Sequence, residues 1–282
     1  MSAAGDTLEL RDVPGPSALG GGSKRFFELL WLMAVTEFKR TYFGTVLGYF
    51  WSLLRPLILF AVLLFVFTQI FRLGSDVPNY PVLLLFNIVV FGFFQESTVQ
   101  AVTSVVAQEG IVRKTQFPRL VIPLSIVLTG LMNLGLNLIA VFAFLLAYGV
   151  DPMWTWLLLP VGLVPLTMLT TAVAMLVSVL YVRFRDMLII WTVSATVLFY
   201  ATPLLYPIEV APDGLRAPMM VNPLAVIFEQ MRVWIIDPTA PDAAEAAGGV
   251  ARLIPATVIF VGVCVLAWRI FTRQAPKVAE AL

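Results

Sequence analysis

Side chains that could carry out acid or base chemistry are few in this chain. The sequence contains no histidine, and its single cysteine, Cys264, lies within an apolar segment. Catalytic acids and bases would therefore have to be carboxylates, and most of those outside the N-terminal segment lie in one polar connector. They are Glu209, Asp213, Glu229, Asp237, Asp242 and Glu245. They are not paired at helical spacing beside an apolar slot, so the sequence predicts a solvated surface and neither a catalytic nor a metal site.

Nucleotide and nucleic-acid binding are also disfavoured. The formal net charge is +1, which provides no excess of basic residues for nucleic acid. The glycines before Lys24 lack the GxxxxGK[ST] spacing with which a phosphate-binding loop cradles phosphates, and we interpret them as a linker. Any work that requires energy must therefore draw it from a partner subunit or from an ion gradient.

Two ionisable residues, Arg55 and Glu96, lie well inside apolar segments. Arg55 is nine residues from the start of the first predicted span, and Glu96 is ten residues from the end of the second. At about 1.5 Å per residue their depths agree, so we expect a buried ion pair. The alternative is that each side chain meets backbone, water or the membrane surface separately. Because a proton relay needs several such groups along a path, one acid argues against an ion-gradient mechanism.

An aromatic stripe follows the first apolar segment. At 100° per residue, five aromatic residues point within about 20° of one direction on a continuous helix. They are Tyr42, Tyr49, Phe60, Phe67 and Phe71. Such a stripe can stack against ring-shaped ligands such as sugars, or it can pack against neighbouring helices, and Pro56 could kink the helix and shift its phase.

The elements that position these residues are apolar: 60% of the chain is hydrophobic and only 12% is charged. Apolar runs near the ~20 residues needed to cross a ~30 Å hydrocarbon layer recur along it. We predict an all-α polytopic membrane protein with six transmembrane helices. The spans are placed at 46–71, 82–106, 121–148, 154–180, 188–206 and 253–271.

The distribution of Lys and Arg predicts the topology. Of the eighteen, five precede the first span, three lie in the second connector, two in the fourth and three at the C-terminal end. By the positive-inside rule, both termini are cytoplasmic. Residues 1–22 are rich in Gly, Pro and Ser without a signal-peptide pattern and are predicted to be a flexible tail, and residues 272–282 form a second tail.

Three segments outside the spans have distinctive compositions. Residues 23–45 mix aromatic and charged side chains, which is typical of an amphipathic helix at the membrane interface; a plain extension of the first span is the alternative. In the external region 207–252, Asn222 and Pro223 are a cap and first-turn pair for an apolar helix too short to span, which suits a re-entrant exit gate. Residues 237–249 are low in complexity and predicted to be flexible.

The connector at 108–120 is basic and contains proline. Three apolar and three basic side chains alternate there beside Pro118, which favours a short helix that docks in a groove of another protein. A solvated loop at the membrane is the alternative. The candidate docking residues are Gly110, Ile111, Val112, Arg113, Lys114, Phe117, Pro118 and Arg119.

The order of several motifs resembles the permease subunits of ABC-2 type polysaccharide exporters, the group that handles O-antigen, teichoic acid and galactan. The sequence YFGTVLGYFWSLLRP at 42–56 is similar to the family's entry into its first span, and GIVRKTQFPRLVIP at 110–123 to its coupling segment. An RD pair, a PxxY motif and an NP pair with a later Arg follow in the family's order. The motif residues are Gly48, Trp51, Pro56, Arg185, Asp186, Pro203, Tyr206, Asn222, Pro223 and Arg232.

The resemblance implies a homodimeric permease in a bacterial inner membrane, with a pore between the two copies and two separate ATPase subunits that hold ATP and magnesium. The segment at 108–120 would then be a coupling helix that contacts the ATPase, and no cofactor would bind this chain. The cargo implied is a lipid-linked glycan. The alternatives are an ABC-2 exporter of drugs or small lipids, a passive channel or scramblase, and a membrane glycosyltransferase.

Overall fold

A computed structural model of the chain describes residues 22–42, 48, 50–72, 77–110 and 118–281. Throughout these ranges the regular secondary structure is helical, which confirms the predicted all-helical class. In chain order the helices are α1 (Gly22–Tyr42), α2 (Phe50–Phe65), α3 (Tyr80–Ala107), α4 (Val121–Ala147), α5 (Leu159–Arg183), α6 (Met187–Ala201), α7 (Asp213–Met219), α8 (Pro223–Ile235), α9 (Ala243–Ala247) and α10 (Ile254–Ala281).

Five helical segments in the described ranges are long and apolar enough to cross a membrane. They are Phe50–Ile70, Tyr80–Ala107, Val121–Ala147, Trp154–Arg183 and Val250–Gln274. A π-helical turn (Val66–Ile70) extends α2, and 3₁₀ turns precede α5 (Trp154–Leu158) and α10 (Val250–Leu253). These segments correspond to five of the six predicted spans.

The sixth predicted span, at 188–206, contains the shorter helix α6. Its 15 residues rise about 22 Å, less than the ~30 Å hydrocarbon thickness. The helix starts after Asp186, whose carbonyl oxygen accepts a hydrogen bond from the Ile190 amide at 3.0 Å. It stops because Thr202 is extended, the conformation that a following Pro203 favours. A count of six spans therefore stays a prediction.

Helix α3 is the centre of the packed core. Its apolar side chains are buried on nearly all sides, as expected for a helix that is hydrophobic all round. Phe91 shows how it connects the other elements: its ring centroid lies 5.3 Å from that of Phe199 on α6 and 6.3 Å from that of Phe228 on α8. Helices α4 and α5 pack along α3, so α3 positions groups contributed by every neighbouring span.

Helix α1 is separate from the first span and is not an extension of it. It ends at Tyr42, whereas α2 begins at Phe50, and Gly48 between them has a φ of 44°, in the left-handed region that glycine adopts readily. Ala34 is buried against α4, where the Thr129 hydroxyl donates to its carbonyl oxygen at 3.1 Å. The amphipathic helix predicted at 23–45 thus corresponds to α1, and its position at the membrane interface stays a prediction.

The connector between α6 and α10 folds into a small helical layer. Ala243 and Ala247 of α9 are buried in a cluster with Met220, so the prediction that residues 237–249 are flexible was wrong. The low-complexity composition suggested flexibility, but the alanines form one apolar face that packs against Met220. Asp242 begins α9 with a capping box, and Gly248 ends it with a φ of 80°. The helix predicted after the Asn222 and Pro223 pair is α8, and its function as a gate stays a prediction.

Candidate functional site

Arg55 of α2 and Glu96 of α3, the ionisable residues inside the apolar segments, lie side by side. Arg55 Nη1 donates to Glu96 Oε1 at 3.1 Å. The expectation that the pair is buried was wrong for the single chain, since the two side chains are 79% and 50% exposed. The reason is that α2 contacts α3 along one edge only and leaves its opposite face uncovered.

A polar cleft extends inward from this pair, between α2, α3 and α4. Its cavity volume is about 140 Å³. Besides Arg55 and Glu96, the polar side chains that line it are Ser52, Gln95, Ser97, Gln100, Asn133 and Asn137. Phe91, Phe93 and Phe199 contribute an aromatic wall. The cleft therefore combines charged, amide, hydroxyl and aromatic groups at the depth of the apolar helices.

Three oxygen atoms in the polar cleft have no hydrogen-bond partner. They are Ser97 Oγ, Asn133 Oδ1 and Asn137 Oδ1, all buried. Sequence reasoning did not identify these residues. A signal was present, because Asn133 and Asn137 stand at i and i+4 in an otherwise apolar segment and so share one face of the helix.

The aromatic stripe predicted along the first apolar segment does not form as one surface. Tyr42 belongs to the end of α1, and Tyr49 lies outside the described residues. Phe60 is buried, with its ring centroid 5.6 Å from that of Phe144 on α4. The π-helical turn changes the phase of the helix before Phe71, which packs against Phe67 with centroids 5.5 Å apart. The stripe assumed one regular helix, and the left-handed φ of Gly48 and the π-turn remove that condition.

Most of the predicted coupling segment lies outside the described residues. This applies to Ile111, Val112, Arg113, Lys114 and Phe117. At its two ends, Gly110 is exposed, and the carbonyl oxygens of Pro118 and Arg119 accept from the amides of Val121 and Ile122 at 2.9 and 3.2 Å. The segment thus leads directly into α4, and its role as a docking helix stays a prediction.

Motif residues near the start of α2 and between α5 and α6 lie on the surface of the single chain. Trp51 is exposed, and Pro56 lies inside α2 and lines the polar cleft. The Arg185 guanidinium lies 5.1 Å from the ring centroid of Tyr181 on α5, a cation–π distance. Asp186 starts α6, as described above. These motifs mark helix boundaries in the structure.

The segment around Pro203 and Tyr206 is held by hydrogen bonds from two helices. On α3, the Tyr80 hydroxyl donates to the Leu205 carbonyl oxygen at 2.7 Å, and Asn87 Nδ2 donates to that of Leu204 at 2.9 Å. On the other side, Asn222 Nδ2 donates to Thr202 Oγ1 at 2.8 Å. The extended segment after α6 is therefore tied to the core helix and to the start of α8.

Asn222 and Pro223 start α8 as the sequence predicted. Asn222 Oδ1 accepts from the Leu224 amide at 3.0 Å, which satisfies one of the free amides at the helix start. Pro223 occupies the first turn, where its missing amide hydrogen costs nothing. These two residues fix where the helix begins and, through Thr202, where it stands relative to α6.

An ion network joins α8 to a 3₁₀ turn after α6, Ile208–Val210. Arg232 Nη1 donates to Glu229 Oε1 and to Glu209 Oε2, both at 2.8 Å, and the Arg232 and Glu229 side chains are only 6% and 3% exposed. Burial raises the pKa of Glu229 to about 7, an effect that the Arg232 charge opposes. The interpretation of these acids as a solvated surface was therefore wrong for Glu229 and for Asp237, which is 9% exposed. For Glu229, the i, i+3 spacing to Arg232 was the missed signal.

Together these elements define a polytopic helical membrane protein with a polar cleft among its spans and a helical layer at one end. The chain belongs to the ABC-2 type transporter family, whose model matches residues 28–236. Its relatives include the O-antigen export system permease protein RfbA of Klebsiella pneumoniae, 30% identical over 73% of this chain and 79% of the relative. The protein of the same name from Myxococcus xanthus is 29% identical over 82% of this chain and 91% of the relative. The resemblance seen in the sequence motifs is thereby confirmed.

Proposed function

We propose that this chain is the permease subunit of an ATP-driven exporter that moves a lipid-linked polysaccharide across the cytoplasmic membrane of a bacterium. The observation that carries the proposal is its similarity, over most of its length, to relatives named as O-antigen export permeases. The glycan would resemble O-antigen, galactan or teichoic acid. Both chain termini would be cytoplasmic, as the distribution of basic residues suggests.

ATP hydrolysis takes place, in this proposal, on two copies of a separate ATPase subunit that binds ATP and magnesium. The support is that the sequence has no phosphate-binding loop while the family's name implies ABC transport. Residues 108–120 would contact the ATPase, since they join the end of α3 to the start of α4 on the side predicted to be cytoplasmic. A movement there would be transmitted along the two helices that line the polar cleft.

Two copies of the chain enclose the pathway. The support is that α2 is mostly exposed in the single chain although it carries Arg55, and a charged side chain is costly in contact with lipid. The helical layer of α7, α8 and α9 would lie at the exit as a gate. Its attachment to α3 through Tyr80 and Asn87 and to α6 through Thr202 would transmit movement of the spans to it.

The function is tested by deleting the coding sequence in the native bacterium and measuring glycan at the cell surface. We expect the surface glycan to disappear, lipid-linked glycan to accumulate inside, and both effects to be reversed by expression of this chain. Unchanged surface glycan would contradict the proposal. A change only in the export of drugs or small lipids would favour the other type of ABC-2 exporter.

The energy source is tested by purifying the tagged chain from native membranes in mild detergent. We expect an ATPase subunit to copurify at about one to one and to be lost when Arg113, Lys114 and Phe117 are all changed to alanine. The matched control changes Arg269 and Arg273 in the C-terminal half of α10 to alanine and should retain the subunit. If no protein with an ATP site copurifies, the passive channel and glycosyltransferase interpretations gain support.

A further inference from the structure

The polar cleft has a chemical bias that points to its ligand. Its buried unpartnered atoms are oxygens, and two of them, Asn133 Oδ1 and Asn137 Oδ1, can only accept hydrogen bonds, whereas the Nδ2 groups of the same side chains can donate them. An unsatisfied polar atom costs several kcal/mol in a hydrocarbon environment. A ligand that supplies donors would remove that cost, whereas a phosphate group, which offers acceptors, would not.

The position of these atoms places the cleft inside the membrane. Ser97 lies ten residues before the end of α3, about 15 Å along the helix, and Asn133 and Asn137 lie about 18 and 24 Å from the start of α4. Arg55 is five residues into α2, about 8 Å. The cleft thus spans the middle of a ~30 Å layer, with Glu96 at about the depth of Ser97, and a polar ligand at this depth would otherwise face only apolar side chains.

The size and the walls of the cleft suit one six-membered ring. Its volume is about 140 Å³, close to that of a cavity of about 150 Å³ that holds benzene. Phe91, Phe93 and Phe199, each at most 9% exposed, form an aromatic wall beside the position of a ring, and the amide oxygens and the Ser97 hydroxyl offer partners for its hydroxyls. Apolar walls with a few placed polar groups are the usual composition of a small-ligand site.

We propose that the polar cleft of each protomer binds a single sugar ring, with the ring hydroxyls donating to Asn133 Oδ1 and Asn137 Oδ1 and hydrogen-bonding to Ser97 Oγ. This inference rests on the proposed function, because the ring would belong to the exported glycan. The sugar site would lie within a single protomer, beneath the surface on which Arg55 and Glu96 meet. The ion pair stands at the mouth of the site, where its exposed charges keep the entrance hydrated.

The test is saturation-transfer NMR on the full chain in lipid nanodiscs, with the methyl glycosides of galactose, mannose and rhamnose as probes. We expect transfer to at least one glycoside and binding at least about tenfold weaker in Asn133→Leu and Asn137→Leu, because each loses an acceptor for a sugar hydroxyl. The matched control is Thr170→Val on α5. Its hydroxyl is buried but donates within its own helix to Leu166 at 2.7 Å, away from the cleft, and binding should be unchanged.

A second variant distinguishes a loss of sugar binding from a loss of folding. Ser97→Ala removes an oxygen that has no partner in the chain, so we expect its unfolding midpoint to equal or exceed that of the wild type while sugar binding weakens. A purely structural role for Ser97 predicts the reverse pattern. Absence of transfer to all three glycosides, unchanged binding in the two leucine variants, or binding of inorganic pyrophosphate in place of the sugars would each overturn the inference.

Failure of the sugar site can be told apart from failure of the proposed function. The deletion strain complemented with Asn133→Leu or Asn137→Leu is expected to export less glycan than the strain with Thr170→Val. If the wild-type chain restores export but binds no glycoside, the sugar site is wrong and the function stands. If the deletion leaves export intact, the function itself is wrong, whatever the NMR result.

Discussion

Gly130 determines how closely α4 approaches α3 beside the polar cleft. A Cβ atom at this position would overlap Ser97 Oγ and lie 3.2 Å from two ring carbons of Phe93. We expect Gly130→Ala to lower the free energy of unfolding by about 1–3 kcal/mol, as overpacking in a dense core does, and to displace Ser97. Denaturation of the detergent-solubilised chain measures the effect.

Gly135→Ala is the matched control for that change. The two glycines lie on the same helix, but a Cβ atom at Gly135 would meet nothing within 4 Å. Alanine there should leave stability unchanged or raise it by up to about 1 kcal/mol, because alanine has the higher helix propensity. Equal losses of unfolding free energy at the two positions would show that Gly130→Ala does not act through the close contact between α3 and α4.

The raised pKa of Glu229 predicts a pH dependence in the external helices. The pKa is raised by burial from 4.5 to about 7, so the folded state binds the proton more tightly than the unfolded state does. The stabilisation from this proton is complete below about pH 4.5 and is lost as the pH rises through about 7. We expect α8 to unfold with a free energy lower by on the order of 1–3 kcal/mol at pH 8 than at pH 5.

Hydrogen exchange of the α8 amides at the two pH values, corrected for the intrinsic exchange rate, measures this difference. In Glu229→Gln the side chain is neutral at both pH values while Arg232 keeps its 2.8 Å contact with Glu209, so the difference should be much smaller. The same pH dependence in the wild type and in Glu229→Gln would assign it to another group.

At the scale of elements, the start of α9 depends on one capping residue. Asp242 Oδ1 accepts from the amides of Ala244 and Glu245, both at 2.8 Å, and Glu245 Oε2 accepts from the Asp242 amide at 3.3 Å. Asp242→Ala should therefore destabilise α9 by about 1 kcal/mol. Asp242→Asn retains a capping oxygen and should lose much less. Faster exchange of the amides at 244–247 in the alanine variant alone is the expected result, and equal rates in both variants would contradict it.

Element boundaries followed from the sequence wherever a local signal specified them. The cap and first turn at Asn222 and Pro223 predicted the start of α8, and long apolar runs predicted five membrane-length helices. The short α9 was missed because its alanines are neither strongly apolar nor periodic over five residues. Their burial comes from Met220 and Ile208, which a single sequence does not place beside them.

The polar cleft could be predicted only in part, because its shape depends on how α2, α3 and α4 pack against one another. The agreement in depth of Arg55 and Glu96 predicted their contact, which needs only the rise per residue. Their exposure could not be predicted, since it depends on how far α2 covers α3. The aromatic stripe failed for the same kind of reason, because a π-turn and the left-handed Gly48 alter the geometry that the periodicity assumed.

At the scale of the whole molecule, the two most exposed spans differ in what can cover them. The outer face of α10 is apolar in its central part, with exposed Val258, Val261 and Val265, so lipid can cover it. The outer face of α2 carries Arg55, and Val62 stands seven residues later on the same face, at about 20° around the helix. A guanidinium at this depth requires protein or water beside it, and we therefore expect α2 to be the surface that meets the proposed second copy.

Cysteine cross-linking in native membranes tests this arrangement on a chain whose only natural cysteine has been replaced, Cys264→Ala. We expect Val62→Cys to form a disulfide-linked dimer under mild oxidation, because the proposed interface packs α2 against its own copy across a two-fold axis, where equivalent residues meet. Val261→Cys is the matched control: it replaces the same residue type near the middle of a span, with 51% exposure against 55% for Val62, and should stay monomeric because lipid covers it. Dimers from Val261→Cys alone would place α10 at the interface and leave the exposed face of α2 without a partner chain, and absence of dimers from both would contradict a two-copy assembly closed by α2.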